Sequence, residues 1–310
     1  MSSDLLAVGA GPVRAEAAEP VPTAGRRRRP GWAWLGLVPF FGYLAAFFLV
    51  PTAVLLWTAF QASDGGGHTW ANLTESLHGS YLAGLQHSVE VSLLDGVLAA
   101  VLGLVLAQAI VAGRGGFFPR LVSSASAVLA NFGGLPLAFL FVAAIGNAGV
   151  LTSALHDHLG ISLSDDLHFD LYSIAGVEFV YLYFLVPLMV LVITPALEGL
   201  KPQWQEAARN LGATRWQYWR YVAGPVLAPS VFGAAALLFC AAFSAYATAA
   251  ALTNGTLSLT SLQIGAVLSG NVLAGKENVG AALAFDMIVV VVPLTLLYLA
   301  MQRRTTRWLR

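Results

Sequence analysis

The sequence predicts an all-α polytopic membrane protein with six transmembrane helices. Hydrophobic residues make up 57% of its 310 residues and charged residues only 10%, whereas an average soluble domain has about 25% charged residues. The mean hydropathy is +0.73. A helix of about 20 apolar residues crosses a membrane, and six apolar runs of that length follow one another. They cover residues 34–60, 88–112, 121–145, 173–196, 226–251 and 281–301.

The chain begins with a segment that differs in composition from the rest. Residues 1–31 are rich in Ala, Gly and Pro, which predicts a disordered cytoplasmic tail. The basic run Arg26–Arg29 and the apolar run behind it could indicate a secretory signal, but the apolar run is long and lacks a convincing cleavage site. We therefore expect an uncleaved first span, a transmembrane domain over residues 32–305, and a short cytoplasmic C-terminus at residues 306–310.

The distribution of Lys and Arg predicts the orientation of the spans. Fifteen of the 16 basic residues fall on the side that carries the N-terminus, and Lys276 alone falls on the other side. Because Lys and Arg accumulate in short cytoplasmic loops, both termini are expected in the cytoplasm, with the protein in the plasma or inner membrane.

An amphipathic segment between spans four and five, QEAARNLGATRWQYW, interrupts this apolar sequence. Pro202 suits the first turn of a helix, and Gly212 suits the left-handed position that ends one. Thr214 and Gln217 then form the pattern of a capping box. The segment predicts two short cytoplasmic helices joined by a glycine turn, the second ending near Val222 before Gly224 and Pro225 break the chain.

The spacing within this segment resembles the EAA loop of permeases from ABC importers. The matching positions are Glu206, Ala207, Ala208, Gly212, Val222 and Pro225. The penultimate position of the pattern departs, because Gly224 stands where the family usually has Leu. The resemblance extends over about residues 80–305, which look like permeases of the spermidine/putrescine type and their iron and phosphonate relatives.

This resemblance implies the type I permease fold of ABC importers and a set of partners. A cytoplasmic ATPase dimer would receive the loop at residues 200–224 as a coupling helix and bind the ATP, so the permease itself would be no enzyme and would need no cofactor. A second permease subunit, homologous or identical, and an extracytoplasmic solute-binding protein would complete the transporter. The alternative for the loop is an interfacial helix pair that lies on membrane lipid.

Polar residues inside the spans are candidates for the translocation pathway, because intramembrane acidic groups tend to face a bundle interior. Asp95 and Asp286 are expected near the outer ends of their spans. There, the alternative to a pathway role is a side chain that contacts water at the interface or packs against a neighbouring helix. Ser and Thr can instead bond their own helix backbone. Gly133, Gly134, Gly146 and Gly149 are expected to allow close helix packing. The candidate pathway residues are Asn131, Glu178, Tyr181, Ser244, Tyr246 and Asp286.

Other classes of function have less support from the sequence. An ion-coupled secondary transporter could use Glu178 and Asp286 as relay groups, but the paired repeats typical of such folds are not found. No sequence motif for a phosphate-binding loop occurs, and a net charge of zero gives no reason to expect nucleic-acid binding. His156 and His158 lie in an acidic outer loop that we expect to be solvated without metal. The acidic outer loops slightly favour a cationic solute such as a polyamine.

Overall fold

The computed structural model describes residues 37–62, 66–113, 116–253, 255–269 and 276–306. The predicted tail at residues 1–31 lies outside these ranges, as do residues 307–310 of the C-terminus. The described residues form helices joined by turns, with one isolated bridge between Gln61 and His68. The α-helices in the described ranges are α1 (Val38–Leu44), α2 (Val50–Ala59), α3 (Ala71–Ser76), α4 (Gly79–Ala112), α5 (Phe117–Leu129), α6 (Leu135–Ile145), α7 (Val150–Leu159), α8 (Ile174–Glu198), α9 (Pro202–Asn210), α10 (Arg215–Tyr218), α11 (Gly224–Phe243), α12 (Tyr246–Thr253), α13 (Thr260–Leu268) and α14 (Glu277–Thr306).

Six helical segments within the described residues are long and apolar enough to cross a membrane, which confirms the predicted number. They are Val38–Ala59, Gly79–Ala112, Leu135–Leu159, Ile174–Glu198, Arg215–Phe243 and Glu277–Ala300.

The third predicted span, residues 121–145, is wrong as a single helix. Helix α5 ends at Leu129 and α6 begins at Leu135. Gly134 between them has a φ of 75°, a conformation that ends a right-handed helix. Pro136 in the first turn of α6 favours a helix start there. The chain is therefore interrupted where the sequence predicts continuous helix.

The described residues up to Val50 belong to one compact unit, and the described residues from Pro51 onward belong to a second. In the described part of the first unit, α1 continues into a π-helical turn, Ala45–Leu49. Edge-to-face contact between Phe40 and Phe41, and a tilted contact between Tyr43 and Phe47, place aromatic rings along this helix.

The core of the second unit lies where α4, α8 and α11 pack against one another. A Cβ atom at Gly103 of α4 would lie 2.5 Å from the Cβ of Met189 in α8, so these two helices approach as closely as their backbones allow. Leu185, Ile193 and Leu238 are fully buried around this contact. Small residues at such crossings are the usual basis of helix association in membranes.

Side-chain hydrogen bonds join α2, α3 and α14 at the end of the bundle that we predict to be outside. The Asn72 amide donates to the carbonyl oxygens of Ala59 and Gln61, at 3.1 and 2.7 Å. The Asn278 amide donates to the same Gln61 oxygen at 2.9 Å. The turn after α2 is thereby tied to both neighbouring helices.

An ion pair closes the same end of the bundle. Lys276, the single basic residue predicted outside, donates a hydrogen bond to the carboxylate of Glu75. This hydrogen bond and the charge of Glu75 raise the pKa of Lys276 above its ordinary value. The pair therefore cancels one positive and one negative charge at this surface.

Candidate functional site

The predicted coupling loop begins with an amphipathic helix that ends in a defined hydrogen-bonded turn. Helix α9 starts at Pro202 as predicted. At its end, the Gly212 N–H donates to the Arg209 oxygen and the Ala213 N–H to the Ala208 oxygen, both at 2.9 Å. These two bonds form a Schellman motif, which needs a left-handed residue at Gly212. Its φ is 76°, which confirms the predicted glycine turn.

The second helix of the loop begins with the predicted capping box. The Gln217 N–H donates to Thr214 Oγ1 at 3.3 Å, and the Thr214 N–H donates to Gln217 Oε1 at 2.7 Å. Two backbone donors at the start of α10 are therefore satisfied by side chains.

The predicted chain break at Gly224 and Pro225 is wrong. A π-helical turn, Trp219–Ala223, follows α10, and the chain continues directly into α11. The Gly224 N–H donates to the oxygen of Trp219. Pro225 has no N–H to donate and sits in the first turn of α11, so the wider π turn accommodates it without ending the helix. Val222 lies inside this turn.

Large apolar side chains on this loop remain exposed. Leu211 is 87% exposed and Trp216 is 72% exposed, whereas Tyr218 is buried and Trp219 packs against the core. The loop therefore has an anchored side and an exposed side. Between α9 and the π turn lies a groove of about 690 Å³, whose lining includes Trp204, Ala207, Ala208, Gly212, Tyr221 and Val222.

Of the loop residues singled out in the sequence, several lie on the exposed side. Ala208 and Val222 are partly buried. An exposed apolar surface beside charged groups is typical of a protein-binding site. The exposed residues among them are Glu206, Ala207, Gly212 and Pro225.

Two helix interruptions lie next to each other inside the transmembrane region. The first is residues 130–134 between α5 and α6, and the second is Ser244 and Ala245 between α11 and α12. The Thr248 hydroxyl accepts from the Gly134 N–H at 3.1 Å and donates to the Gly134 oxygen at 3.3 Å. The Tyr181 hydroxyl donates to the Ala245 oxygen at 2.6 Å. Interrupted helices expose backbone polar groups, which transporters use for binding solutes.

Four of the predicted pathway residues belong to this region. Asn131 and Ser244 are exposed and bond to their own helices, through the oxygens of Ala127 and Cys240. Tyr246 is half exposed, and Tyr181 is buried. The predicted packing role of Gly133 and Gly134 is wrong, because their Cβ positions are open or nearly so and they form the turn.

Glu178 lies one helical turn before Tyr181 on α8 and is partly buried. It lies close enough to Asp95 in α4 for a negative charge on Glu178 to disfavour a negative charge on Asp95. Asp95 is 0% exposed, and neither of its oxygens has a hydrogen-bond partner among the described residues. The prediction that Asp95 lies near the outer end of its span is wrong, because α4 begins at Gly79, well before the apolar run.

Asp286, the remaining predicted pathway residue, has different neighbours from the other five. Its side chain lies in α14 against Ser76 of α3, and it is 7% exposed. One of its oxygens, Oδ2, is buried without a hydrogen-bond partner among the described residues. The alternative that Asp286 contacts water at the membrane interface does not fit this burial.

The acidic outer loop forms no metal site within the described residues, where no group of three or more His, Cys, Asp or Glu could hold an ion. His156 and His158 lie in the last turn of α7, and Asp170 accepts from the Tyr172 N–H at 2.9 Å.

Residues 99–310 match the family model of the binding-protein-dependent transport system inner membrane component. Among curated relatives, the sulfate transport system permease protein CysT of Escherichia coli K12 is 38% identical over 68 residues, which is 22% of this chain and 24% of CysT. The thiamine transport system permease protein ThiP of Salmonella typhimurium is 27% identical over 237 residues, 74% of this chain and 40% of ThiP. The chain thus spans less than half the length of these relatives.

Solved structures share the fold at low sequence identity. A bacterial ABC transporter involved in the import of the acidic polysaccharide alginate has a chain with a TM-score of 0.68 and 16% identity, covering 88% of this chain and 95% of that one. The MetNI methionine ABC transporter, in an inward-facing conformation, gives a TM-score of 0.53 at 16% identity, covering 72% and 95%. These likenesses establish the all-α type I permease fold.

Proposed function

Because the chain belongs to the family of binding-protein-dependent transport system inner membrane components, we propose that it is the permease subunit of an ATP-driven importer for a small solute. It forms the translocation pathway, while a separate cytoplasmic ATPase dimer binds and hydrolyses the ATP. The observation that carries this proposal is the anchored loop at residues 200–224, whose exposed apolar side chains lie beside a groove of a size that suits a protein partner. An ion-coupled mechanism through Glu178 and Asp286 has no such support, since the two acids have different neighbours.

The proposed assembly contains two permease units. ThiP of Salmonella typhimurium is long enough to hold a second region of the size matched here, because the match covers only 40% of its length. This supports a second permease subunit for the present chain, homologous or identical. A further structural neighbour was solved in complex with an alginate pentasaccharide-bound periplasmic protein, which supports an extracytoplasmic solute-binding protein as the third partner.

Reversing the charge of Glu206 tests the coupling loop. Glu206 is exposed on α9 next to the groove, so Glu206→Lys places a positive charge on the proposed docking surface and is expected to weaken ATPase binding several-fold. The measurement is the amount of ATPase that co-purifies with the tagged permease from cells that produce both. Asp165→Lys in the exposed outer loop is the control and should retain the ATPase. Equal retention by both variants would count against this docking surface.

Thiol labelling tests the proposed orientation, with both termini in the cytoplasm. Cysteines are introduced singly in a Cys240→Ser background, which removes the chain's one cysteine. An impermeant reagent added to intact cells is expected to label cysteines at Gly66 and Asn147 and not at Gln203, because Lys and Arg mark the cytoplasmic side. Labelling at Gln203 before lysis would reverse the orientation.

We further propose that the solute is cationic, with polyamines as the first candidates. Six acidic residues and no Lys or Arg lie within the described parts of α4, α8 and α14 that precede residue 301. A negative field along the pathway concentrates cations and repels anions such as sulfate. Four of them lie inside the helices, Glu90, Asp95, Glu178 and Asp286, and two lie at helix ends, Glu198 of α8 and Glu277 of α14. Uptake of labelled spermidine, thiamine and sulfate, with and without this permease, decides between cationic and anionic solutes.

A further inference from the structure

We propose that the turn between α5 and α6 binds an ammonium group of the solute, and that Thr248 is the positioning residue that directs the oxygens of this turn toward it. The turn comprises residues 130–134, and we call it the acceptor turn. This site rests on the proposed import of a cationic solute and names where in the permease that solute is held. The carbonyl oxygens of Asn131, Phe132 and Gly133 in the turn accept no hydrogen bond from any described residue.

The acceptor turn lies at membrane depth. Helix α5 extends about 20 Å from Phe117 to the turn, and α6 extends about 16 Å beyond it. Unpaired backbone at this depth does not face lipid, because hydrocarbon offers no hydrogen bonds, and it is found where it lines a water-filled cavity or is buried in protein. Asn131 and Phe132 are exposed, and a Cβ atom at Gly133 would meet open space. The turn therefore borders a water-filled part of the transport pathway.

Thr248 of α12 fixes the direction of the turn. Its buried hydroxyl accepts from the Gly134 N–H at 3.1 Å and donates to the Gly134 oxygen at 3.3 Å. A planar trans peptide bond directs its N–H and its C=O to opposite sides. Because the Gly134 N–H points toward α12, the Gly133 oxygen of the same peptide bond points away from α12. Loss of the Thr248 hydroxyl would free this peptide bond to rotate.

The side chains at the two interruptions also present acceptors. The Asn131 amide donates to the Ala127 oxygen at 3.0 Å, and the amide oxygen of Asn131 accepts no hydrogen bond from the described residues. The Ser244 hydroxyl uses its one hydrogen in a bond to the Cys240 oxygen at 2.8 Å, which leaves its acceptor lone pairs free. Both side chains are exposed. A solute group that binds here therefore needs to be a hydrogen-bond donor.

The charges around the turn favour a donor with positive charge. The described residues of α6, α8, α11 and α12 include no Lys or Arg, whereas Glu178 of α8 lies one helical turn from Tyr181, which bonds to the second interruption. Opposite helix-dipole ends meet here, because α5 and α11 end where α6 and α12 begin, so the dipoles do not favour an anion. Carbonyl and amide oxygens bind an ammonium group through charge-assisted hydrogen bonds. The expected ligand is a primary or secondary ammonium group, which has N–H donors.

Equilibrium binding to the purified permease–ATPase complex in nanodiscs tests the site. The solute-binding protein is left out, because it would contribute its own affinity. Labelled spermidine is the probe, and unlabelled putrescine and its fully N-methylated analogue compete with it. The wild-type complex is expected to bind putrescine about tenfold more tightly than the methylated analogue, the size of effect for one hydrogen bond to a charged group. Both competitors carry the same charge, so this preference reports hydrogen bonding.

Variants separate the positioning role of Thr248 from a general effect on folding. Thr248→Val removes both hydrogen bonds to Gly134 and is expected to weaken spermidine binding about tenfold and to abolish the preference for putrescine. Thr248→Ser retains the hydroxyl and should keep both properties. Thr253→Val is the matched control, since Thr253 is a buried threonine of the same helix whose hydroxyl bonds within that helix, to the Ala249 oxygen. Asn131→Leu changes an exposed acceptor and should weaken putrescine more than the methylated analogue.

Several results would overturn the site: an unchanged preference in Thr248→Val, an equal effect of Thr253→Val, or a wild-type complex that does not distinguish the two competitors. If the complex binds no spermidine while cells that carry it import spermidine, the site is wrong and the proposed importer stands. If Thr248→Val does not fold, Asn131→Leu decides, and an unchanged preference in that variant would refute the acceptor turn. If cells with the wild-type permease import no spermidine, the cationic solute of the proposed function is contradicted, and the site is contradicted with it.

Discussion

Replacing Gly212 with valine is expected to separate ATP hydrolysis from solute uptake, lowering uptake roughly tenfold. The φ of 76° at this position costs an ordinary L-residue about 1–2 kcal/mol, and 1.4 kcal/mol is about a factor of ten in an equilibrium. A β-branched side chain is especially unfavourable there. The Schellman turn would open, and the exposed side of α9 would lose its fixed direction. The measurement is uptake in cells that lack the wild-type gene, together with the ATPase rate of the purified complex.

Two control substitutions assign this loss to the coupling loop. Gly212→Asn should keep most of the uptake, because Asn adopts left-handed conformations more readily than other residues. Gly160→Val imposes the same kind of strain, since Gly160 ends α7 with a φ of 67°. Both glycines have open space around their Cβ positions, so steric clash does not differ between them. Normal uptake in Gly212→Val, or equal losses in Gly212→Val and Gly160→Val, would contradict the coupling role.

Reversing the charge of Glu178 is expected to abolish the uptake of a cationic solute without unfolding the protein. The introduced ammonium group would lie near Asp95, whose carboxyl oxygens are buried without hydrogen-bond partners among the described residues, and an opposite charge nearby offsets part of the cost of burying it. The same positive charge would repel a cation next to the interruption at Ser244 and Ala245. Thermal unfolding of the purified variant and uptake of labelled spermidine and thiamine are to be measured together.

Glu178→Gln serves as the neutral counterpart of this substitution. It removes the negative charge without adding a positive one, so its uptake should fall between those of the wild type and Glu178→Lys. Asp165→Lys, an equal charge reversal in the outer loop, should leave uptake near the wild-type rate. If the Glu178→Lys protein is stable and transports cations normally, Glu178 does not belong to the pathway. If the wild type transports an anion faster than a cation, the proposal of a cationic solute is wrong.

Local signals predicted the coupling loop well. The glycine turn at Gly212 and the capping box of Thr214 and Gln217 each depend on residues within a few positions of one another, so their sequence spacing is sufficient to predict them. The number of spans was predictable for a similar reason, since it depends on the length of each apolar run.

The arrangement inside the membrane was not predictable from local patterns. The interruption at Gly134 is held by Thr248, 114 positions away, and the one at Ala245 is held by Tyr181, 64 positions away. The sequence GGLP, with a glycine two residues before a proline, was the available sign of the first interruption. The depth of Asp95 was missed because helix α4 extends through a polar segment that the apolar pattern alone does not include.

The π-helical turn at Trp219–Ala223 fixes the angular phase between the coupling loop and the fifth span. An α-helix turns by about 100° with each residue, whereas a π turn inserts one additional residue into a turn of the helix. The direction of the proposed docking surface therefore depends on the number of residues between Gly212 and Pro225 as well as on their identity. A deletion of one residue from this turn would leave both helices intact and rotate α9 about the axis of α11, away from any partner that is bound to the membrane in a fixed orientation.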